Sequence, residues 1–340
     1  MKRVITIVLA VSLTVALVAY LAHIAITPDA PADDEYILVG GSIMTLAYPW
    51  FLGAKEGMEN WARDNPDANV RFQFEDSNMD IMTAINNLES MAAAGVKGIV
   101  IFPPDSKAII PTMVSLHNNQ GIYFVVGDFP QQPDDPSHVV WSTFVGHDMR
   151  ALGEIAGEVA VDYLQALGKD NPTLLWISRP LSGQVSLDRV DGFSSVVLSA
   201  FPNARIIVEG DAGAGDRISS KSLMETILAR EPVIHLVSGH NDAAVLGAYH
   251  AAVGAGRVEE MKFIGLAGDK EVLGLVEEGE HWIGEILQDP VVLGYTAMDA
   301  LWRAMNGEEL PETFDLPKPV AITPDNIQQF DWRNWTWLGN

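Results

Sequence analysis

A polar segment, residues 238–242 (SGHND), follows a short apolar run and precedes a segment rich in small residues. In open α/β sheets, ligands bind beyond the carboxyl ends of the strands. His240, Asn241 and Asp242 are therefore predicted to lie at a binding crevice. We expect Asp242 to cap a helix that starts at Ala243, because a carboxylate accepts hydrogen bonds from the first backbone N–H groups. Asn241 would then be free to face a ligand.

Residue types that perform covalent or metal chemistry are scarce or badly spaced. The chain has no cysteine, which excludes disulfides, zinc–thiolate sites and thiol nucleophiles. His147 with Asp148, and His240 with Asp242, suggest an acid–base or metal pair, but no H-x-x-x-H or H-E-x-x-H spacing supports one. No G-x-S-x-G element supports a hydrolase. We therefore predict no catalytic residue, no metal site and no cofactor.

The acidic composition excludes one class of partner. The 340 residues include 21 basic and 45 acidic ones, for a formal charge of −24. This balance excludes nucleic acid as a partner, since phosphate binding needs clustered Lys and Arg.

The first residues indicate an exported protein, because Lys2 and Arg3 precede an apolar run at residues 4–26. Its length is close to the roughly 20 residues that span a bilayer, so residues 1–32 are predicted to be a signal peptide or an uncleaved membrane anchor.

From Tyr36 onward, short β-rich runs alternate with amphipathic segments, which is typical of βαβ units on a mainly parallel sheet. The pattern occurs twice. In the first half, the fourth and fifth strands are predicted at residues 123–126 and 139–143. In the second half, strands are predicted at residues 173–177 and 282–287, among others, and a final strand is predicted at residues 318–322. No long linker separates the halves, so we predict an α/β fold of two doubly wound, Rossmann-like lobes with a ligand between them.

Six segments, taken in chain order, carry a family resemblance. They are residues 47–51 (AYPWF), 76–78 (DSN) together with 103–106 (PPDS), 126–129 (VGDF), 189–193 (RVDGF), 239–242 (GHND) and 287–290 (LQDP). This series resembles the binding elements of type I periplasmic binding proteins of the ribose- and galactose-binding group. The resemblance implies two lobes joined by a multi-strand hinge. Residues 35–146 plus 289–318 would form the N-terminal lobe, and residues 147–288 plus 319–333 the C-terminal lobe.

The resemblance also implies a set of ligand-binding residues that suits a sugar. A sugar has apolar C–H faces and a rim of hydroxyl groups, so it fits aromatic rings with charged or amide groups around the edge. The rings would come from Trp50, Phe51 and Phe129. The polar groups would come from Asp128, Arg189, Asn241 and Gln288.

The sequence also departs from the pattern of the ribose-binding relatives. Phe129 stands where they carry Arg, and residues 265–267 (GLA) stand where they carry G-F-D. Gly215 stands where a ring often projects towards the ligand. These changes predict a pocket less polar than a pentose site. A deoxy sugar, a methylated cyclitol, a polyol and a small non-sugar metabolite all remain open.

The resemblance implies a binding protein and not an enzyme. We expect an exported monomer that captures a small carbohydrate-like ligand and delivers it to the membrane permease of an ABC transporter. The alternative is a periplasmic sensor of the same fold that signals to a membrane receptor or histidine kinase.

Overall fold

The computed structural model describes residues 36–104, 107–130, 134–210 and 215–338. The predicted signal peptide or anchor, residues 1–32, lies outside the described residues. Within the described part of the chain, no helix combines the length and the apolar character that a membrane span requires.

Two six-stranded sheets form the framework of the described residues. The first sheet has the order β11-β5-β4-β3-β1-β2, and every neighbouring pair in it is parallel. Its strands are β1 (Ile37–Ile43), β2 (Val70–Asp76), β3 (Gly98–Ile101), β4 (Tyr123–Gly127), β5 (Thr143–Gly146) and β11 (Thr313–Asp315). The second sheet has the order β12-β10-β9-β8-β6-β7, and only β12 runs antiparallel, beside β10. Its strands are β6 (Thr173–Ile177), β7 (Arg205–Glu209), β8 (Leu236–Gly239), β9 (Lys262–Ala267), β10 (Trp282–Leu287) and β12 (Val320–Ile322).

Nine α-helices of the described residues cover the sheets. They are α1 (Pro49–Asp64), α2 (Ile81–Ala93), α3 (Ile110–Gln120), α4 (Met149–Ala166), α5 (Gln184–Ala200), α6 (Arg217–Arg230), α7 (Asp242–Gly254), α8 (Lys270–Glu278) and α9 (Pro290–Met305). Each sheet has a buried apolar cluster on both faces. The chain crosses between the sheets after β5, after β10 and after β11. The predicted fold class, two α/β lobes with mainly parallel sheets, is confirmed.

Aspartate side chains begin five of these helices. Asp80, Asp148, Asp216, Asp269 and Asp289 each accept a backbone N–H from the first turn of α2, α4, α6, α8 and α9, respectively. A cap of this kind stabilises a helix by about 1 kcal/mol relative to alanine. Part of the acidic composition is therefore structural.

The strand predicted at residues 139–143 was placed too early. The observed β5 begins at Thr143 and pairs with β4 from Val125 onward. A short 3-10 turn, Pro136–His138, leaves Val139 about half exposed, so the apolar side chains there do not enter a sheet. The chain also forms β11, which the sequence did not predict, and the final strand is shorter than residues 318–322.

Glycines allow α1 and α9 to pack with their backbones in contact. A Cβ atom on Gly294 would lie 1.8 Å from the carbonyl oxygen of Ala54, and one on Gly57 would lie 2.1 Å from that of Val291. Since both neighbours are backbone atoms, no side-chain rotation relieves the overlap. The close approach of these helices therefore depends on glycine.

We expect Gly294→Ala to lower the free energy of unfolding by about 1–3 kcal/mol, because the added methyl group must push the two helices apart. Gly274→Ala is the matched control. Gly274 also lies inside a helix, but a Cβ atom there would have no atom of the described residues within 4 Å, apart from its own helix backbone and chain neighbours. The control should gain up to about 1 kcal/mol from helix propensity. Urea denaturation measures both, and equal stability of the two variants would contradict the packing argument.

Candidate functional site

The carboxyl ends of strands from both sheets meet in one cleft. Asp128 directly follows β4 of the first sheet, Gln288 follows β10 of the second, and the Gln288 Nε2 donates to Asp128 Oδ1 at 3.0 Å. Two adjoining cavities, of about 460 and 500 Å³, lie in this cleft. Both are lined by Met79 and Arg179, so they are two parts of one space between the sheets.

Three of the predicted residues form a buried hydrogen-bonded chain across the cleft. Gln288 donates to Asp128 through its amide nitrogen, and its Oε1 accepts from Arg189 Nη2 at 2.8 Å. Arg189 Nη1 also donates to the carbonyl oxygen of His240 at 2.5 Å. Asp128 and Arg189 are only 6% and 5% exposed. These hydrogen bonds join the Asp128 carboxylate, which follows β4 of the first sheet, to the Arg189 guanidinium in α5. Helix α5 packs beside the second sheet.

Burial shifts the pKa values of Asp128 and Arg189. It raises the pKa of Asp128 to about 6, against the opposing effects of Arg189 and of the Gln288 hydrogen bond. Burial also lowers the pKa of Arg189 to about 10, while Asp128 and Asp242 act in the opposite direction. Arg189 therefore remains a cation at neutral pH, and Asp128 titrates close to the physiological range.

Of the three predicted aromatic residues, Trp50 and Phe129 line the cavities and Phe51 lies in the core. Trp50 lines the 500 Å³ cavity, and its Nε1 donates to the backbone oxygen of Gln288 at 2.8 Å. Phe129 lines the 460 Å³ cavity. Phe51 is 6% exposed and lies in the core, with its ring edge-on to Trp50 at 5.1 Å and to Phe102 at 6.2 Å. Phe51 thus supports the Trp50 ring from the core side.

The prediction that Asp242 caps α7 and leaves Asn241 free is wrong. The helix cap is Asn241, whose Oδ1 accepts from the backbone nitrogen of Ala244 at 3.0 Å, and its Nδ2 donates to the carbonyl oxygen of Gly215 at 3.1 Å. Asp242 is the first residue of α7 and does not cap it. Asn241 still lines the 500 Å³ cavity, but its amide is already engaged with the protein.

Asp242 instead holds the loop between β9 and α8. Its carboxylate accepts from the backbone nitrogens of Leu266, Gly268 and Asp269 at 2.6, 3.0 and 2.7 Å. Three backbone donors in one carboxylate fix the loop tightly. Ala267, Gly268 and Asp269 line the cavity, so Asp242 shapes the cleft from beneath.

A second buried acid, Glu285 on β10, accompanies Asp242. Its Oε1 accepts from the backbone nitrogen of Ala267 at 2.8 Å, and its Oε2 is buried next to Asp242 Oδ1, beside Gly265. Burial raises the pKa of Glu285 well above its usual value, and the neighbouring Asp242 charge adds to the effect. Burial likewise raises the pKa of Asp242 to about 6, and the charge of Asp269 contributes. Burial therefore favours the protonated form of Glu285 beside the Asp242 carboxyl group.

Sequence reasoning missed two residues of the cleft. Arg179 follows β6 and lines both cavities, and no carboxylate of the described residues lies within salt-bridge distance of it. The signal available in the sequence was a cation two residues after a buried strand. Trp337, in the tail after β12, also lines the 500 Å³ cavity. No local pattern places such a tail residue in the cleft.

The histidine pairs considered from the sequence do not form an acid–base site. Burial and the charge of Arg189 lower the pKa of His147 to about 4 and hold that of His240 well below its usual value. Both imidazoles are therefore neutral at neutral pH. Asp148 is engaged as the cap of α4.

One group in the described part of the chain has the composition of a metal site: Glu259, Glu280 and His281, on the surface near the start of β10. The Nδ1 atom of His281 is buried with no hydrogen-bond partner among the described residues. Metal-binding imidazoles usually donate from their second nitrogen to an acceptor. The group therefore lacks the support that a metal site requires.

Comparison with known proteins identifies the family. A family model for the periplasmic binding protein domain matches residues 39–309. The chain belongs to the periplasmic binding protein family. This membership confirms the resemblance seen in the sequence. It also confirms the expectation of a binding protein and not an enzyme.

Individual relatives cover most of this binding protein. A ribose import binding protein from Bacillus subtilis is 25% identical over 290 residues, which is 85% of this chain and 88% of the relative. A xylitol-binding protein from Mycolicibacterium smegmatis is 26% identical over 302 residues, or 88% and 80% of the two chains.

Solved structures agree on the fold. An ABC transporter solute binding protein from Mycobacterium smegmatis, with bound glycerol, has a TM-score of 0.75 and 26% identity. The match covers 86% of this chain and 96% of that one. A solute binding protein from Actinobacillus succinogenes, with bound D-allose, has a TM-score of 0.76 at 20% identity and covers 86% of this chain and all of that one (100%).

Proposed function

We propose that this protein captures a small sugar, polyol or cyclitol in the cleft and delivers it to the membrane permease of an ABC transporter. One observation carries the proposal. The cleft combines the Trp50 ring with the guanidinium of Arg179, which interacts with the charge of Asp216 in the same cavity wall but forms no ion pair within 4 Å among the described residues. An aromatic face suits the C–H surface of such a ligand, and a fork of N–H donors suits its hydroxyl oxygens.

We assign the lobes as residues 35–146 with 289–318 and residues 147–288 with 319–333. The division of strands between the two sheets supports these boundaries. Ligand binding would close the lobes by a hinge motion at the three crossings. Gln288 lies at the crossing after β10. The hydrogen bonds that join Asp128, Gln288 and Arg189 would therefore change when the cleft opens or closes.

We propose that Trp50, Phe129, Asp128, Arg189, Asn241 and Gln288 contact the ligand, with Phe51 behind Trp50. The positions of Trp50, Asn241 and Phe129 on the cavity walls support this set. Asp128, Arg189 and Gln288 already satisfy one another, so a ligand would join or replace bonds within their chain.

Relatives named for the binding of ribose and xylitol support a polyhydroxylated ligand and an extracytoplasmic location. The word import in the name of the Bacillus subtilis relative supports delivery over the sensing alternative. Loss of uptake of the ligand in cells that lack the protein would test the delivery step.

A thermal-shift and calorimetry screen with D-ribose, xylitol, L-arabinose and myo-inositol tests ligand binding. A ligand at 100 times its Kd is expected to stabilise the protein by about 2.7 kcal/mol. Arg179→Met should remove most of this stabilisation, because the cleft loses the N–H donors of this guanidinium. Arg63→Met, on the exposed end of α1, is the control and should bind as the wild type does. Absence of binding for sugars, polyols and cyclitols alike would refute the proposal.

A further inference from the structure

The C-terminal tail, residues 331–338, is attached to both lobes. Arg333 forms an ion pair with Glu277 of α8, which packs on β10 of the second sheet. Three residues later, Thr336 Oγ1 donates to Glu56 Oε1 of α1 at 2.5 Å, on the side of the first sheet. The tail thus spans the edge of the cleft between two helices that belong to different sheets.

The ring of Trp337 lies between the lobes at this edge. A Cβ atom on Gly53 of α1 would lie 3.0 Å from Trp337 Cγ, and one on Gly268 would lie 3.4 Å from Trp337 Cη2. The ring therefore extends from α1 to the loop between β9 and α8. Both positions that face it lack a side chain, and Trp337 is only 6% exposed.

Trp337 forms part of the wall of the 500 Å³ cavity. Tyr48 and Trp50 line the same cavity from the start of α1, and Asn241 and Asp269 line it from the second lobe. The wall therefore has aromatic and polar portions. Such a cavity favours a ligand with an apolar C–H face and a rim of hydroxyl groups.

We propose that Trp337 contacts the bound ligand and determines which polyhydroxylated ligands the cleft accepts. This inference rests on the proposed function, since it assumes that the 500 Å³ cavity holds the ligand. It adds that a residue of the C-terminal tail, and not only residues at the strand ends, sets the shape of the site.

Trp335 supplies a matched control within the same tail. Its ring stacks on that of Trp337 at 5.8 Å with an interplanar angle of 15°. Trp335 and Trp337 both line a neighbouring cavity of about 260 Å³, but only Trp337 lines the 500 Å³ cavity. Trp335→Ala removes as much aromatic surface from the tail as Trp337→Ala does, but it leaves the cavity wall in place.

Isothermal titration of the full chain with D-ribose, xylitol, L-arabinose and myo-inositol tests the inference. In Trp337→Ala, the Kd of the tightest of these probes is expected to rise at least about tenfold. In Trp335→Ala it should rise less than about threefold. Trp337→Phe keeps part of the wall and guards against a folding defect. It should change the ratio of the Kd values for ring-shaped myo-inositol and open-chain xylitol, which a purely structural role would not change.

The outcomes separate the two proposals. If the wild type binds a probe but Trp337→Ala binds it with less than a tenfold change, the inference on Trp337 is wrong and the proposed function stands. An equal loss in Trp335→Ala, or an unchanged ratio of Kd values in Trp337→Phe, also overturns the inference. If the wild type binds none of the four probes, the proposed function and the inference both fail.

Discussion

Arg189→Met is expected to lower the free energy of unfolding by about 3 kcal/mol and to abolish stabilisation by ligand. The guanidinium donates to His240 O at 2.5 Å and to Gln288 Oε1 at 2.8 Å. Methionine fills a similar volume without donors, so both acceptors stay buried and unpaired. Each such loss costs on the order of 1–3 kcal/mol. The cation that balances the buried Asp128 is lost as well.

Urea denaturation with and without ligand measures both effects. Arg150→Met is the control, because Arg150 lies on neighbouring α4 with an exposed side chain that pairs with Glu154. A surface change of this kind is expected to alter stability by less than about 0.5 kcal/mol. Wild-type stability in Arg189→Met would show that the buried chain contributes little to the fold.

Glu285→Gln is expected to stabilise the protein above pH 5, by an amount that grows with pH. The Glu285 carboxyl is fully buried, and burial raises its pKa well above its usual value. An amide has nearly the same shape. It can accept from the backbone of Ala267 as the acid does, but it never ionises.

The sign follows from the direction of the pKa shift. A carboxyl whose pKa is raised by folding contributes full stability below the pKa of the unfolded chain, for which 4.5 is the reference. That contribution is lost progressively as pH rises from there through the folded pKa. In this window the wild type loses about 1.4 kcal/mol per pH unit through this one group. The glutamine variant does not, so its advantage should grow with pH through this window.

Urea denaturation at pH 5, 6 and 7 gives the difference between variant and wild type, in which the titration of groups remote from Glu285 and Asp242 cancels. Glu225→Gln, on the exposed surface of α6, should run parallel to the wild type at every pH. A constant difference between Glu285→Gln and the wild type across this range would show that Glu285 ionises as readily folded as unfolded.

Much of the fold was predictable from local patterns. The strands at residues 173–177 and 282–287 were predicted with the observed bounds, because each is a buried apolar run with clear breaks at both ends. The strand predicted at residues 139–143 was wrong, although this segment is also apolar. Val139 and its neighbours are apolar, but the pairing of β5 with β4 begins only at Thr143, and pairing partners are not visible in a local pattern.

The site was predictable to the extent that it follows strand ends. Asp128 and Gln288 each follow a strand that the sequence identified, and they lie in contact in the cleft. Their mutual hydrogen bonds could not be foreseen, nor could the capping of α7 by Asn241 in place of Asp242. Both side chains can cap a helix, and the choice depends on the loop at residues 266–269, which occupies the Asp242 carboxylate.

By itself, the sequence determined the class of fold, the family and the edge of the sheets at which a ligand would bind, because these depend on periodicity and on residues next to strand ends. Only the tertiary structure decided how Arg179 and Trp337 reach the cavity and why the pKa of Glu285 is raised. Those properties depend on burial and on contacts between residues far apart in the chain. No local pattern records the distance between such residues, or the solvent that folding removes from around them.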